Sequence, residues 1–289
     1  MVALIYALGE ASSLGWGSLP VAGSLAAAVA LLGGFAARQV GRPDRLLPLR
    51  VVRDRNRGWG MTALIVNSLS TSGMFLILTY QLQSIMRYPA LATGLAIVPF
   101  AAATGQGSAL LAPRLMTRVA PRWLLFASIV IEAAGLVPLI WLTAGSHYLP
   151  LILVATIIEG LGTGVAGPAA LSTALRAVLP ADSGAAGAAT SAASQLGSSV
   201  GAALLNTIAA TATAGYIAAH AAAGSTTAIV HGFTVAMIWG TAILLAAAIP
   251  VAIFVNAPAV TSSLSGRTAR RQPSSLSWSG QSRPEGGTP

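Results

Sequence analysis

The 289-residue sequence predicts an all-α, polytopic transmembrane helix bundle, and three observations carry that prediction. Only 8% of the residues are charged, against roughly 25% in a soluble globular domain, so the chain cannot cover a water-facing surface. Hydrophobic residues make up 55%, the mean hydropathy is +0.75, and apolar runs of about 20 residues, the length that crosses a hydrocarbon core, recur along most of the chain. All 16 basic residues are Arg, and they cluster in alternate segments between those runs.

The first element is short. VALIYALG (2–9) is followed at once by Glu10, lacks a cationic flank and a small-residue cleavage site, and reads as the second half of a spanning helix rather than a signal peptide. Seven complete spans follow, at 19–37, 60–86, 91–112, 122–144, 149–171, 185–212 and 232–255. From Ala257 to Pro289 the sequence is rich in Ser, Arg, Gly and Pro without apolar periodicity, which predicts a disordered tail. The expected organisation is a helix remnant, one span and an Arg-rich loop over 1–58, a six-helix bundle over 59–256, and the tail over 257–289.

Orientation follows from Arg. Fifteen of the 16 lie in the segments 38–58, 113–122 and 172–184 and in the tail, while the intervening loops hold only Arg87. Cytoplasmic loops accumulate positive charge, so those segments and the carboxyl terminus are expected inside a cell membrane. The net charge of +9 is accounted for by this topology, and no nucleic-acid partner is expected. RLLPLRVVRDRNRGW (45–59) mixes cationic and apolar residues as a segment lying on an anionic leaflet would.

Composition excludes several chemistries. The absence of Cys rules out disulfides and thiolate metal sites, His147, His220 and His231 lack metal-ligand spacing, and a chain without Lys cannot form a P-loop. Gly162, Gly164 and Gly167 satisfy GxGxxG, but inside an apolar span they predict close helix packing or a bend near Pro168 rather than a dinucleotide site. No cofactor, metal or enzymatic activity is expected.

The stretch GAAGAATSAASQLGSSVGAAL (184–204) could be a linker by composition. Its spacing argues otherwise: Ala189, Ala193, Gly197 and Gly201 recur every four residues and end in GxxxG, the pattern that lets helix backbones approach in lipid. PADSGAAGAATSAASQLGSSVGAALLNT (180–207) resembles the thirteenth helix of the fourteen-helix drug:proton antiporters of the major facilitator superfamily, the EmrB/QacA type. In order, RPDRLLPLRVVRDRNRGWG (42–60) resembles the loop before helix nine, RYPALATGLAIVP (87–99) the entry to helix ten, and EGLGTGVAGPA (159–169) helix twelve. The resemblance implies a carboxyl-terminal portion, beginning within helix seven, of a proton-coupled exporter of small amphipathic compounds. ALLAPRLMTRVAPRWLL (109–125) resembles the superfamily's cytoplasmic loop motif, with Thr117 where Asp is usual and Ala120 where Gly is usual, which leaves Arg114, Arg118 and Arg122 as topology determinants.

Glu132 and Glu159 are the candidate proton or substrate groups. Glu132 lies ten residues past Arg122, about 15 Å along a helix at 1.5 Å per residue, and Glu159 nine residues past Pro150 on a span running the other way, so both fall near the midplane. Intramembrane ionisable groups are costly and by default functional, the alternative being a protonated carboxyl bonded to a neighbouring hydroxyl or carbonyl. The resemblance implies that the helix carrying Glu159 lies nearer the cavity, so Glu159 is preferred as the proton-responsive group and replacement of Glu132 is expected to matter less. Asn67, Thr71, Met74, Leu78 and Gln81 form a stripe that faces either a water-filled cavity or other helices. Gln106, Gln195 and Asn206 complete the candidate cavity-lining set, since an amide left unpaired in lipid costs several kcal/mol and turns inward, where bonding to a neighbouring helix is the favoured role over substrate contact. The expected partners are the bilayer, protons, a small amphipathic substrate for which a cation is preferred, and an amino-terminal half; the competing reading is a truncated membrane module that does not transport alone.

Overall fold

A computed structural model describes residues 18–39, 54–143, 145–220 and 224–256, and within them every regular element is helical. The helix remnant before residue 18, most of the Arg-rich loop and the tail beyond residue 256 lie outside the described residues.

Helix α1 is Leu19–Gln39, with a described apolar stretch at Leu19–Leu31. Helix α2 is Arg55–Tyr80 and continues as a π-turn over Gln81–Ile85. Helix α3 starts at Ala90, widens into a π-turn at Gly107–Leu111 and ends at Arg118. Helix α4, Pro121–Leu136, tightens into a 3-10 turn at Val137–Trp141. Helix α5, Leu153–Ala174, is preceded by a π-turn at Tyr148–Ile152. The two longest are α6, Ser183–Ala219 with 37 residues, and α7, Ser225–Phe254 with 30. Among the described residues, six helices, α2 to α7, are long and apolar enough to cross a membrane. Their positions match six of the seven expected spans, and the seventh coincides with α1.

Lipid offers helices no hydrophobic reward for associating, so close backbone approach must supply the attraction, and glycine permits it. The bundle uses this at almost every seam. A methyl on Gly201 would sit 2.6 Å from the Cα of Leu69, and one on Gly197 2.8 Å from the Cα of Ile65, so α6 lies backbone to backbone along α2. The pairs 65 with 197 and 69 with 201 rise together, which makes the two helices parallel. Thus the small-residue stretch at 184–204 is a thin helix, not a linker. Gly107, Gly160 and Gly164 close α3 against α5 in the same way, with the carbonyl of Phe100 2.6 Å from a Cβ at Gly160. The GxGxxG pattern is therefore mostly packing: Gly162 and Gly164 are contact points, while Gly167 has nothing within 4 Å of a Cβ and opens onto a cavity. Met74, Leu78, Leu125, Ile129, Leu136, Leu205, Met237 and Leu244 fill the centre and are fully buried.

The Arg-rich face is clasped. Asp54 caps α2 by accepting from the Arg57 backbone N–H at 3.0 Å, and the Arg57 guanidinium crosses to donate to the carbonyls of Arg176 (3.2 Å) and Ala177 (2.7 Å) just past α5. Those carbonyls lie at the helix end where backbone acceptors lack intrahelical partners and the dipole is negative, so a cation there is favoured. Trp59 stacks on Phe254 with centroids 5.0 Å apart, Arg55 lies 4.9 Å over the same ring, and the Asn256 N–H donates to the Asn56 side chain at 2.8 Å. The start of α2 thereby holds the ends of both α5 and α7.

Candidate functional site

The two intramembrane acids lie at one helix crossing. Helices α4 and α5 cross antiparallel through matching E-x-x-G segments, Glu132 with Gly135 and Glu159 with Gly162. A Cβ on Gly135 would lie 2.6 Å from the Cβ of Glu159, and one on Gly162 would lie 2.8 Å from the Cγ of Glu132. Each glycine is the seat of the opposite helix's glutamate, one turn from its own. Both glutamates are completely buried.

Their surroundings differ. The Ser70 hydroxyl on α2 donates to Glu159 Oε1 at 2.9 Å, and the Thr163 hydroxyl, one turn on along α5, donates to Oε2 at 3.4 Å. Thr163 is in turn 3.3 Å from the Thr71 hydroxyl on α2, and both threonines are half-buried. A line of hydroxyls thus leads from the buried carboxyl towards the more open face of α2. Glu132 has no such company: both of its carboxyl oxygens are buried without a hydrogen-bond partner among the described residues.

One turn from Thr71, towards the Arg-rich end, Asn67 enters a cavity of about 630 Å³ between α2, α5 and α6. Thr190, Ser191, Ser194 and Gln195 line it from α6, and Leu64, Gly167 and Leu171 complete the wall. Asn67 Oδ1 is buried there without a partner among the described residues, leaving an acceptor for a ligand or water. Nearer the opposite end, Asn206 lines a separate cavity of about 470 Å³ with Tyr80, Ser84, Thr213 and Phe233.

The expected set is therefore divided. Asn67 and Gln195 share one cavity, Thr71 belongs to the hydroxyl line, and Asn206 lies in the second cavity. Met74, Leu78 and Gln81, on the same stripe as Asn67, run into the core; Gln81 is fully buried at the first residue of the π-turn, with neither amide atom bonded. Gln106 is exposed, not turned inward: α3 applies Gly107 to α5, and the preceding residue, about a quarter-turn round the helix, points away. Arg114, Arg118 and Arg122 are also exposed. Sequence reasoning missed Ser70, Thr190, Ser191 and Ser194, which carry no signal individually, and Thr163, whose position four residues after Glu159 put it on the same helix face.

The Major Facilitator Superfamily profile matches residues 1–202. The puromycin resistance protein pur8 of Streptomyces alboniger is 36% identical over 260 residues, covering 89% of this chain and 52% of that protein. The cephamycin export protein CmcT of Amycolatopsis lactamdurans is 32% identical over 173 residues, 59% of this chain and 35% of that protein. The tetracenomycin C resistance and export protein of Streptomyces glaucescens is 29% identical over 99 residues, 34% of this chain and 18% of that protein. The chain thus spans about half the length, or less, of the curated relatives it matches.

Proposed function

Because the chain belongs to the major facilitator superfamily, we propose that it forms the carboxyl-terminal part of a fourteen-helix, proton-coupled exporter of small amphipathic compounds in the cell membrane, with its carboxyl terminus inside. The relatives named for resistance and export support export over a non-transporting module. The single observation that carries the mechanism is the hydroxyl line from Thr71 through Thr163 to the buried Glu159.

In this reading two helical bundles rock about a site near the midplane, and the ligand occupies the cavity beside Asn67 and Gln195. That wall offers amides and hydroxyls with no formal charge, so it orients a ligand by hydrogen bonds while Leu64 and Leu171 take its apolar part. Glu159 supplies the charge. Buried and neutral it is tolerated; ionised, it is a counter-ion for an amphipathic cation, and arrival of the cation expels the proton through Thr163 and Thr71. Proton and substrate then compete for one carboxyl, which is what exchange requires.

Substrate-driven proton release from the purified full-length transporter in liposomes tests this. Glu159→Gln keeps the shape and removes the titration, so release is expected to vanish while the protein stays folded. Unchanged release would remove Glu159 from the mechanism and put the proton site outside this bundle.

A further inference from the structure

Glu132 has no task in that scheme, yet a buried acid with neither donor nor cation beside it is among the more expensive things a membrane protein can keep. A lone carboxylate in a medium of low dielectric costs tens of kcal/mol by Born solvation, whereas the neutral acid costs far less. Oxygens without a donor therefore belong to a carboxylic acid that holds its proton. Glu159 is the opposite case, since the Ser70 and Thr163 hydroxyls both point hydrogens at its oxygens, the arrangement that supports an anion.

The reciprocal seating brings the two together. Glu159 Cβ is 2.6 Å from a Cβ at Gly135, and residues three apart on a helix have Cβ atoms about 5–6 Å apart, so the two side chains leave neighbouring points of one seam. The helices packed against α4 and α5 bring no competing charge to that depth. Among the described residues their titratable groups lie towards the helix ends: Arg55, Arg57 and Tyr80 on α2, Arg114 and Arg118 on α3, Arg122 on α4 itself, Tyr148 before α5, and His231 on α7.

We infer that Glu132 and Glu159 form one electrostatically coupled carboxyl pair across the α4–α5 seam, in which Glu132 is the resident acid that keeps its proton and Glu159 the member that exchanges through Thr163 and Thr71. This rests on the proton-coupled reading for its use in transport, but not for its existence. With one proton in the pair, Glu132 carries it and Glu159 is an anion held by Ser70 and Thr163. The second proton enters when Thr163 gives its hydroxyl hydrogen to Glu159 Oε2 and takes one from Thr71, which takes one from water at its half-buried face; the water is left as hydroxide and is neutralised in bulk. The pair thus cycles between net charges of minus one and zero and never reaches minus two.

Infrared spectra of the chain in lipid nanodiscs read the pair without any transport. At mildly alkaline pH one protonated-carboxyl C=O band is expected in the unsubstituted protein, absent in Glu132→Gln and retained in Glu159→Gln. Acidification should add a second band, present in Glu132→Gln but not in Glu159→Gln. An apolar carbodiimide, which reacts with protonated buried carboxyls, checks the same assignment without any substitution: located by peptide mass spectrometry, its adduct should be on Glu132 at mildly alkaline pH and on Glu159 only in acid. A band that survives Glu132→Gln at mildly alkaline pH, or an adduct confined to Glu159, overturns the pair. A correct pattern in a protein that releases no protons on substrate addition would sustain the pair and sink the exporter.

Discussion

A single methyl group on Gly201 tests whether backbone contact between α2 and α6 holds the bundle. An alanine Cβ there lies 2.6 Å from the Cα of Leu69, and ordinary carbon contacts are about 3.5–4.0 Å, so the helices must part by roughly 1 Å over at least a turn. Overpacking of this kind costs about 1–3 kcal/mol. The obstacle is backbone, which cannot swing aside as a side chain can, so the upper half of that range applies. A cost of about 2 kcal/mol is roughly a thirtyfold shift in the folding equilibrium. Gly187→Ala is the control: nothing lies within 4 Å of its Cβ, and alanine's helix propensity favours it by up to about 1 kcal/mol. The propensity gain is common to both substitutions, so reversible unfolding in mixed detergent–SDS micelles, followed by tryptophan fluorescence, should place the two variants about 2 kcal/mol apart. If Gly201→Ala is as stable as Gly187→Ala, the thin helix owes its place to something other than close approach.

Arg57→Ala removes two charge-assisted bonds to the carbonyls after α5 and should lower stability in the same assay by about 2–4 kcal/mol, with Arg57→Lys recovering only part because an ammonium cannot span both acceptors as a guanidinium does. Stability unchanged by Arg57→Ala would show that these bonds contribute nothing to the clasp. Ser183 and Ser225 are exposed at opposite ends of the bundle, and in this Cys-free chain an impermeant maleimide added to intact cells should label Ser225→Cys and spare Ser183→Cys; the reverse would overturn the orientation read from Arg. In the full-length transporter, Gln195→Leu should raise the KM for export by up to about tenfold, one lost hydrogen bond, with kcat less affected. An unchanged KM would take the cavity at Asn67 out of the substrate path.

The spans were legible because a bilayer fixes their length, and hydropathy reads length directly. Their ends were less so: 185–212 was expected where α6 runs Ser183–Ala219, because Thr211, Thr213 and Gly215 lower hydropathy without breaking backbone hydrogen bonds. That Glu132 and Glu159 lie at one level was legible from counting residues, but their reciprocal seating was not. Depth is a property of one helix, while pairing depends on which helices adjoin and on rotation about each axis. E-x-x-G occurs on both α4 and α5, yet only the crossing reveals each glycine as the other acid's seat. The outward position of Gln106 has the same origin. The cost of an amide in lipid was weighed correctly, but the face of α3 that meets α5 was set by Gly107, one residue away.

The length of α6 has a mechanical consequence. At 1.5 Å per residue its 37 residues extend about 55 Å, well beyond a hydrocarbon layer of about 30 Å. It is pressed against α2 near Gly197 and Gly201, so those contacts form its fulcrum. Tyr216, fifteen residues farther on, stands about 22 Å from Gly201 along the axis. A tilt of roughly 10° about that fulcrum carries Tyr216 through about 4 Å, wider than a water molecule, while the glycines scarcely move. The helix has the length of a lever, but its far arm is tied to α7, where Gly232 seats Ala209 and Thr213 and the Tyr216 ring lies 4.6 Å from that of His231, so a tilt of α6 must carry the start of α7 with it.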